Sequence, residues 1–137
     1  MSGMLPSFWN MSFTSLYKVM PIAPFPGERG WGYDGVSLFA VHEGYGGPDA
    51  FQRFVDAAHA RGLAVCLDVV HNHFGPAGNY TGEFAPYTSD RHATPWGAGM
   101  NLDDEYNEGV RSFILDHACR WLRDFHVDAL RLDAVHA

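Results

Sequence analysis

Basic residues are scarce in this chain: nine Lys and Arg stand against sixteen Asp and Glu, for a net charge of −7. Phosphate backbones are bound by clustered cations, so no nucleic-acid partner is expected, and a neutral, polyhydroxylated ligand fits the balance better. Cysteine is nearly absent. Cys66 falls in a strand-like run and Cys119 in a helix-like one, and both read as buried free thiols rather than a disulfide. That reading favours a reducing, cytoplasmic compartment. No apolar stretch approaches the roughly 20 residues of a membrane helix. The first 18 residues hold no cation before Lys18 and no long apolar core, so neither a signal peptide nor a membrane partner is expected. Internal repeats and low-complexity tracts are missing too. What remains, 47% hydrophobic and 18% charged over 137 residues, has the composition and length of one ordinary globular domain.

Periodicity then orders the chain. A short strand is expected over Tyr17 to Ile22, followed by a proline- and glycine-rich turn region from Pro21 to Gly35. Phe51, Phe54, Val55 and Ala58 recur at helical spacing within Pro48 to Arg61, and Gly62 is a natural stop. Leu63 to Val70 is the next strand. A second helix is expected over Glu108 to Phe125, with Val110, Phe113, Ile114, Ala118, Trp121, Leu122 and Phe125 as its apolar stripe. Val127 to Asp133 is the third strand. This βαβαβ order predicts a parallel sheet with right-handed crossovers. The stretch from His71 to about Glu105 has no strong period, and a loop of that length in a compact domain is expected to be functional. It carries Phe74, Tyr80, Phe84, Tyr87 and Trp96, rings suited either to stacking on sugar faces or to packing the loop on itself.

Two strand ends carry the chemistry, LDVVHNH at Leu67 to His73 and ALRLDAVHA at Ala129 to Ala137. Parallel α/β sheets place their sites at the carboxyl ends of strands. Residues two apart on a strand share a face, so Ala64, Cys66 and Asp68 lie opposite Leu63, Val65, Leu67 and Val69. Arg131 and Asp133 likewise share one face. A buried arginine needs a partner, and Asp133 at the strand end reads as a catalytic carboxylate or as half of a plain buried ion pair. Asp68 is a second acid within reach of Arg131. His71, Asn72 and His73 offer hydrogen-bonding groups just past the strand end; a His-x-His pair also suits metal, but no third ligand has the right spacing. His136 can line the same site. His42, His59, His92, His117 and His126 read as surface or helix residues without special roles.

DVVHNH at Asp68 to His73 resembles the first conserved region of the α-amylase superfamily, glycoside hydrolase family 13, and ALRLDAVH at Ala129 to His136 resembles its second. More narrowly, MPIAPFPGERGWGYDGV (Met20 to Val36), YGGPDAFQRFVDAAHARGLAVCLDVVHNHFGPAGNY (Tyr45 to Tyr80) and TPWGAGMNLD (Thr94 to Asp103) are similar to the trehalose-releasing branch of that family. The resemblance covers Lys18 to Ala137. Departures are His71 where tyrosine is common, Pro24 where that branch often has glutamate, and Leu102 in place of phenylalanine.

The resemblance implies a (β/α)8 TIM barrel, of which residues 17–137 would supply about strands 2 to 4 with their helices, incomplete at both ends; residues 1–16 are an unmatched N-terminal segment. It implies Asp133 as nucleophile, Arg131 as its orienting partner, Asp68 as a structural acid and His73 as a donor to the sugar. Tyr33 in WGYDG would approach the same sugar, and Asn72 would fix the strand-end loop. The implied reaction is retaining hydrolysis of an α-glucan, specifically the α-1,4 bond beside the terminal trehalose of maltooligosyl trehalose, with no cofactor and no obligate protein partner. The alternatives are another enzyme of the superfamily, such as a branching enzyme or isoamylase, or a non-catalytic glucan-binding piece. The family's general acid and third aspartate would lie beyond Ala137, so the chain reads as a truncated piece, inactive alone. Three strands of a closed barrel leave unpaired edges, and isolated folding is not expected.

Overall fold

The computed structural model describes residues 15–136. Three parallel strands form one sheet in the order β1-β2-β5: β1 (Ser15–Val19), β2 (Leu63–Val69) and β5 (Ala129–Leu132). The helix α1 (Gly47–His59) joins β1 to β2, and α2 (Glu108–Asp124) precedes β5. Of the N-terminal segment 1–16, only Ser15 and Leu16 are described, and they open β1. That strand therefore starts two residues before the expected Tyr17 and ends at Val19; Ile22, expected inside it, is instead buried in the core beyond the strand. The last strand is also shorter than expected, since residues 127 and 128 lie in the approach from α2 and Asp133 follows the strand.

The central strand is buried along both faces, as a parallel strand between two neighbours must be. Val65, Leu67 and Val69 point into a core with Phe51, Val55, Ala58, Trp121, Phe125 and Val127, so the bulky face of β2 meets the helices as its alternation predicts. Pro48 sits in the first turn of α1, where its missing N–H costs nothing, and Gly62 at φ 70° turns the chain into β2. Both helical stripes are narrower than their sequence periods. Phe54 and Leu122 are exposed, while His117, read as unremarkable, is buried on the sheet side of α2. Cys119 lies two residues from both His117 and Trp121, on the opposite side of a 3.6-residue turn, and is exposed rather than buried; Cys66 is buried, and both thiols are free.

The long segment after β2 is not all loop. It contains an antiparallel hairpin, β3 (Thr88–Thr94) and β4 (Gly97–Met100), joined at Pro95 and Trp96. Its sequence, TSDRHAT then GAGM, is poor in strand-forming residues, and tertiary bonds hold it in place. Met100 N–H donates to the Asn72 carbonyl (3.2 Å), Asn101 N–H to the Tyr87 carbonyl (2.9 Å), and Met100 is buried with Leu38 and Phe74. Phe74 and Tyr87 pack against Phe113, while Tyr80 and Phe84 are exposed. Among the described residues no helix is long and apolar enough to cross a membrane.

Candidate active site

The register of the sheet brings the acids and the arginine together. Asp68 pairs with Arg131 across β2 and β5, and Asp133, two residues on, extends the ladder by donating its N–H to the Val69 carbonyl (3.0 Å). Arg131 Nη1 donates to both Asp68 oxygens (2.9 and 3.0 Å) and to Asp133 Oδ1 (2.6 Å). These two carboxylates hold the guanidinium charged even more firmly than usual. The Asp68 side chain is fully buried, so it needs this company. It also accepts from the Tyr33 hydroxyl (3.0 Å) and meets Lys18 Nζ at 3.3 Å. Burial of the Tyr33 phenol, and then its bond to Asp68, raise its pKa.

Asp133 is held from a second side. Asn72 Nδ2 donates to the Asp133 carbonyl (2.9 Å) and approaches its Oδ2 (3.3 Å), while Asn72 Oδ1 accepts from His73 Nδ1. An amide oxygen only accepts, so the His73 proton is on Nδ1 and Nε2 carries the lone pair. Burial lowers the His73 pKa, against an upward pull from Asp34 and Asp133, and so favours the neutral ring. His73 Nε2 is buried with no partner among the described residues, and Trp96 stacks on the ring with centroids 5.5 Å apart.

Two glycines set the loop that carries Tyr33. Gly32 has φ 83°, and a Cβ there would stand 2.2 Å from the Pro21 carbonyl oxygen. A Cβ on Gly75 would stand 1.9 Å from the Asp34 carbonyl oxygen. Gly75 N–H also donates to the Gly35 carbonyl (3.1 Å), so the segments after β1 and β2 touch backbone to backbone.

The resulting cleft, about 850 Å³, is lined by Lys18, Met20, Trp31, Tyr33, Asp34, His73, Trp96 and Asp133. Asp68, Arg131, Asp133, Tyr33, Asn72 and His73 thus converge. His136 is exposed in the turn after β5 and is not among the lining residues. His71 turns away to His117, so the two histidines of the His-x-His pair diverge, and no group of three metal-ligating side chains forms among the described residues. Sequence reasoning missed Lys18 and gave Trp31 no part. A lone cation inside the apolar run of β1 is the same signal that singled out Arg131.

Acid–arginine–acid at the carboxyl ends of two parallel strands, beside an open cleft with exposed tryptophans, stands where α/β barrel enzymes place their sites. The family model for the alpha amylase catalytic domain matches residues 5–94, more than half of the sequence, and the chain belongs to the alpha-amylase family. Within it, a malto-oligosyltrehalose trehalohydrolase from Arthrobacter ramosus is 58% identical over 120 residues, covering 88% of this chain and 21% of that protein. A 1,4-alpha-glucan branching enzyme from Pseudoalteromonas atlantica is 36% identical over 137 residues, covering 96% and 19%. A solved alpha-amylase-family structure from Salmonella typhimurium superposes with a TM-score of 0.82 at 50% identity, over 89% of this chain and 20% of that one. The chain therefore spans about a fifth of the length of the relatives it matches.

Proposed function

We propose that this chain supplies about strands 2 to 4 of a (β/α)8 barrel in a retaining α-glucan hydrolase that releases trehalose from maltooligosyl trehalose. The observation that carries this reading is the Asp68–Arg131–Asp133 cluster at adjoining strand ends, whose Asp133 lines a cleft with Trp31 and Trp96 on its walls. The 58% identity to a named trehalohydrolase, against 36% to a branching enzyme, favours that substrate over other α-glucans.

Asp133 is the partly accessible acid, with 17% of its side chain exposed, and Asp68 is wholly buried. Asp133 is therefore the nucleophile: its carboxylate attacks the anomeric carbon, with Arg131 fixing Oδ1 and Asn72 approaching Oδ2. Asp68 orients Arg131 and is too occupied to move a proton. His73 Nε2, which has no partner among the described residues, hydrogen-bonds a sugar hydroxyl. Tyr33, Trp31 and Trp96 present ring faces to the sugar. A retaining mechanism needs an acid about 5–5.5 Å from the nucleophile; we assign it to a carboxylic acid outside the described residues. Such a site needs no cofactor.

The test is a full-length chimera in which the aligned residues of this chain replace the matching segment of the Arthrobacter ramosus relative. Incubated with maltooligosyl trehalose, it should release free trehalose. Shortened or branched glucans without trehalose would refute the assignment in favour of a branching enzyme or isoamylase, and binding without any product would favour a glucan-binding role. Asp133→Asn in the chimera should abolish turnover and leave substrate binding nearly intact. Turnover near that of the parent would overturn the nucleophile.

A further inference from the structure

Behind the strand end, outside the cleft, two imidazoles meet. His71 Nε2 lies 2.7 Å from His117 Nδ1. His117 comes from α2 and is 3% exposed. Its other nitrogen, Nε2, lies 2.8 Å from the Trp121 indole N–H and 2.9 Å from the Leu38 carbonyl oxygen. Burial holds both histidines far below their usual pKa, at about 4, so both rings are neutral near pH 7.

Proton accounting limits what this cluster can be. The indole N–H only donates and the carbonyl only accepts, so His117 Nε2 serves one of them at a time. When it accepts from Trp121, its proton is on Nδ1 and is donated to His71. When it donates to Leu38, Nδ1 accepts from His71. The bond between the two rings is made in both tautomers. It ties α2 to the end of β2, and in the second tautomer the loop around Leu38 joins them.

His71 is the residue immediately before Asn72, whose amide holds Asp133 and whose carbonyl takes the hairpin's Met100 N–H. Apolar rings would fill this space without the cost of burying imidazoles. We propose that His117 and His71 are a positioning pair for the reaction proposed above: acting through the backbone at His71, they set the orientation of Asn72 and hence of Asp133. The inference rests on the hydrolase reading.

The test uses the chimera with maltooligosyl trehalose. His71→Phe keeps a ring of similar size and removes both nitrogens. It should lower kcat by about tenfold to a hundredfold, the scale of a misplaced reacting group, with KM nearly unchanged. His71→Gln, which can bond His117, should recover most of the loss. Placed on top of Asn72→Ala, His71→Phe should cost little further, because both act on Asp133 by one route. Losses that multiply, or a lower unfolding midpoint with kcat unchanged, would overturn the pair's role and leave a structural contact. Should His71→Phe fail to fold, His117→Asn against His117→Leu gives the same contrast, with only Leu expected to lose kcat. A parent chimera that releases no trehalose defeats the hydrolase reading and this inference with it; an active parent with an equally active His71→Phe defeats this inference alone.

Discussion

Acid should loosen this fold through the same two histidines, before and independently of any effect on turnover. Each ring has a pKa of about 4 in the fold, lowered by burial, with the neighbouring imidazole adding to the effect at His117. Each returns to about 6.5 in the unfolded chain. Below 6.5 the unfolded chain binds protons that the fold refuses, so the stability these rings permit is complete above that pH and drains away as pH falls toward 4. For one ring the difference reaches about 3 kcal/mol by pH 4, at about 1.4 kcal/mol for each pH unit. That is a fifth to three fifths of a typical domain's stability of about 5–15 kcal/mol. In the chimera, urea unfolding followed by tryptophan fluorescence at several pH values gives this slope. Carboxylates titrate in the same window, so the informative quantity is the difference between the parent and His71→Phe. The variant has one fewer proton to take up on unfolding, and its stability should fall less steeply from pH 6.5 to 4. Parallel pH dependences would refute the claim that the half-buried His71 is neutral in the fold.

Two further perturbations probe the frame of the site. Gly75→Ala puts a methyl where the Asp34 carbonyl oxygen stands, 1.9 Å away, so the loop bearing Tyr33 must retreat by more than 1 Å; we expect about 1–3 kcal/mol lost to overpacking and a sharp fall in kcat. An unchanged melting temperature would refute that close approach. Asp68→Asn sets an amide N–H among the donors Arg131, Lys18 and Tyr33; the expected loss is about 1–3 kcal/mol, toward the lower end because Arg131 and Lys18 are 40% and 54% exposed and can turn to water. Tyr33 should titrate at lower pH in that variant, since it loses the charged acceptor; an unmoved phenol would show that the bond carries no weight.

Much of the sheet was legible because its signals are local. The parity of Ala64, Cys66 and Asp68 against Val65, Leu67 and Val69 follows from the two-residue period of any strand, and the helices meet the side that the bulky residues mark. Boundaries were less legible. The strands end where pairing with a neighbour ends, and the partner of Val19 is Leu67, 48 positions away. The hairpin over residues 88–100 was missed because its residues do not favour strands, and its only strong local sign is the tight Thr94-Pro95-Trp96-Gly97 turn. Phe54 and Leu122 were placed inward because each lies near the edge of an apolar stripe, where a small rotation of the helix decides between core and water, and Cys119 because Ala118 and Trp121 close by in sequence are apolar, although it faces away from Trp121 on the helix.

What the sequence determined by itself is that Asp68, Arg131 and Asp133 belong at strand ends, with Arg131 and Asp133 on one face, and that DVVHNH and LRLDAVH mark an alpha-amylase-family strand pair. Those facts need only the alternation of a strand and the identity of its last residues. The tertiary structure decided the rest. Register across β2 and β5 turned three residues into one network, and backbone contact at Gly75 placed Tyr33 on Asp68. The fold of the hairpin brought Trp96 onto His73, and the packing of α2 made His117 a partner of His71. Each of these joins residues far apart in the chain through close-packed backbone, and such contacts exist only once the elements have docked.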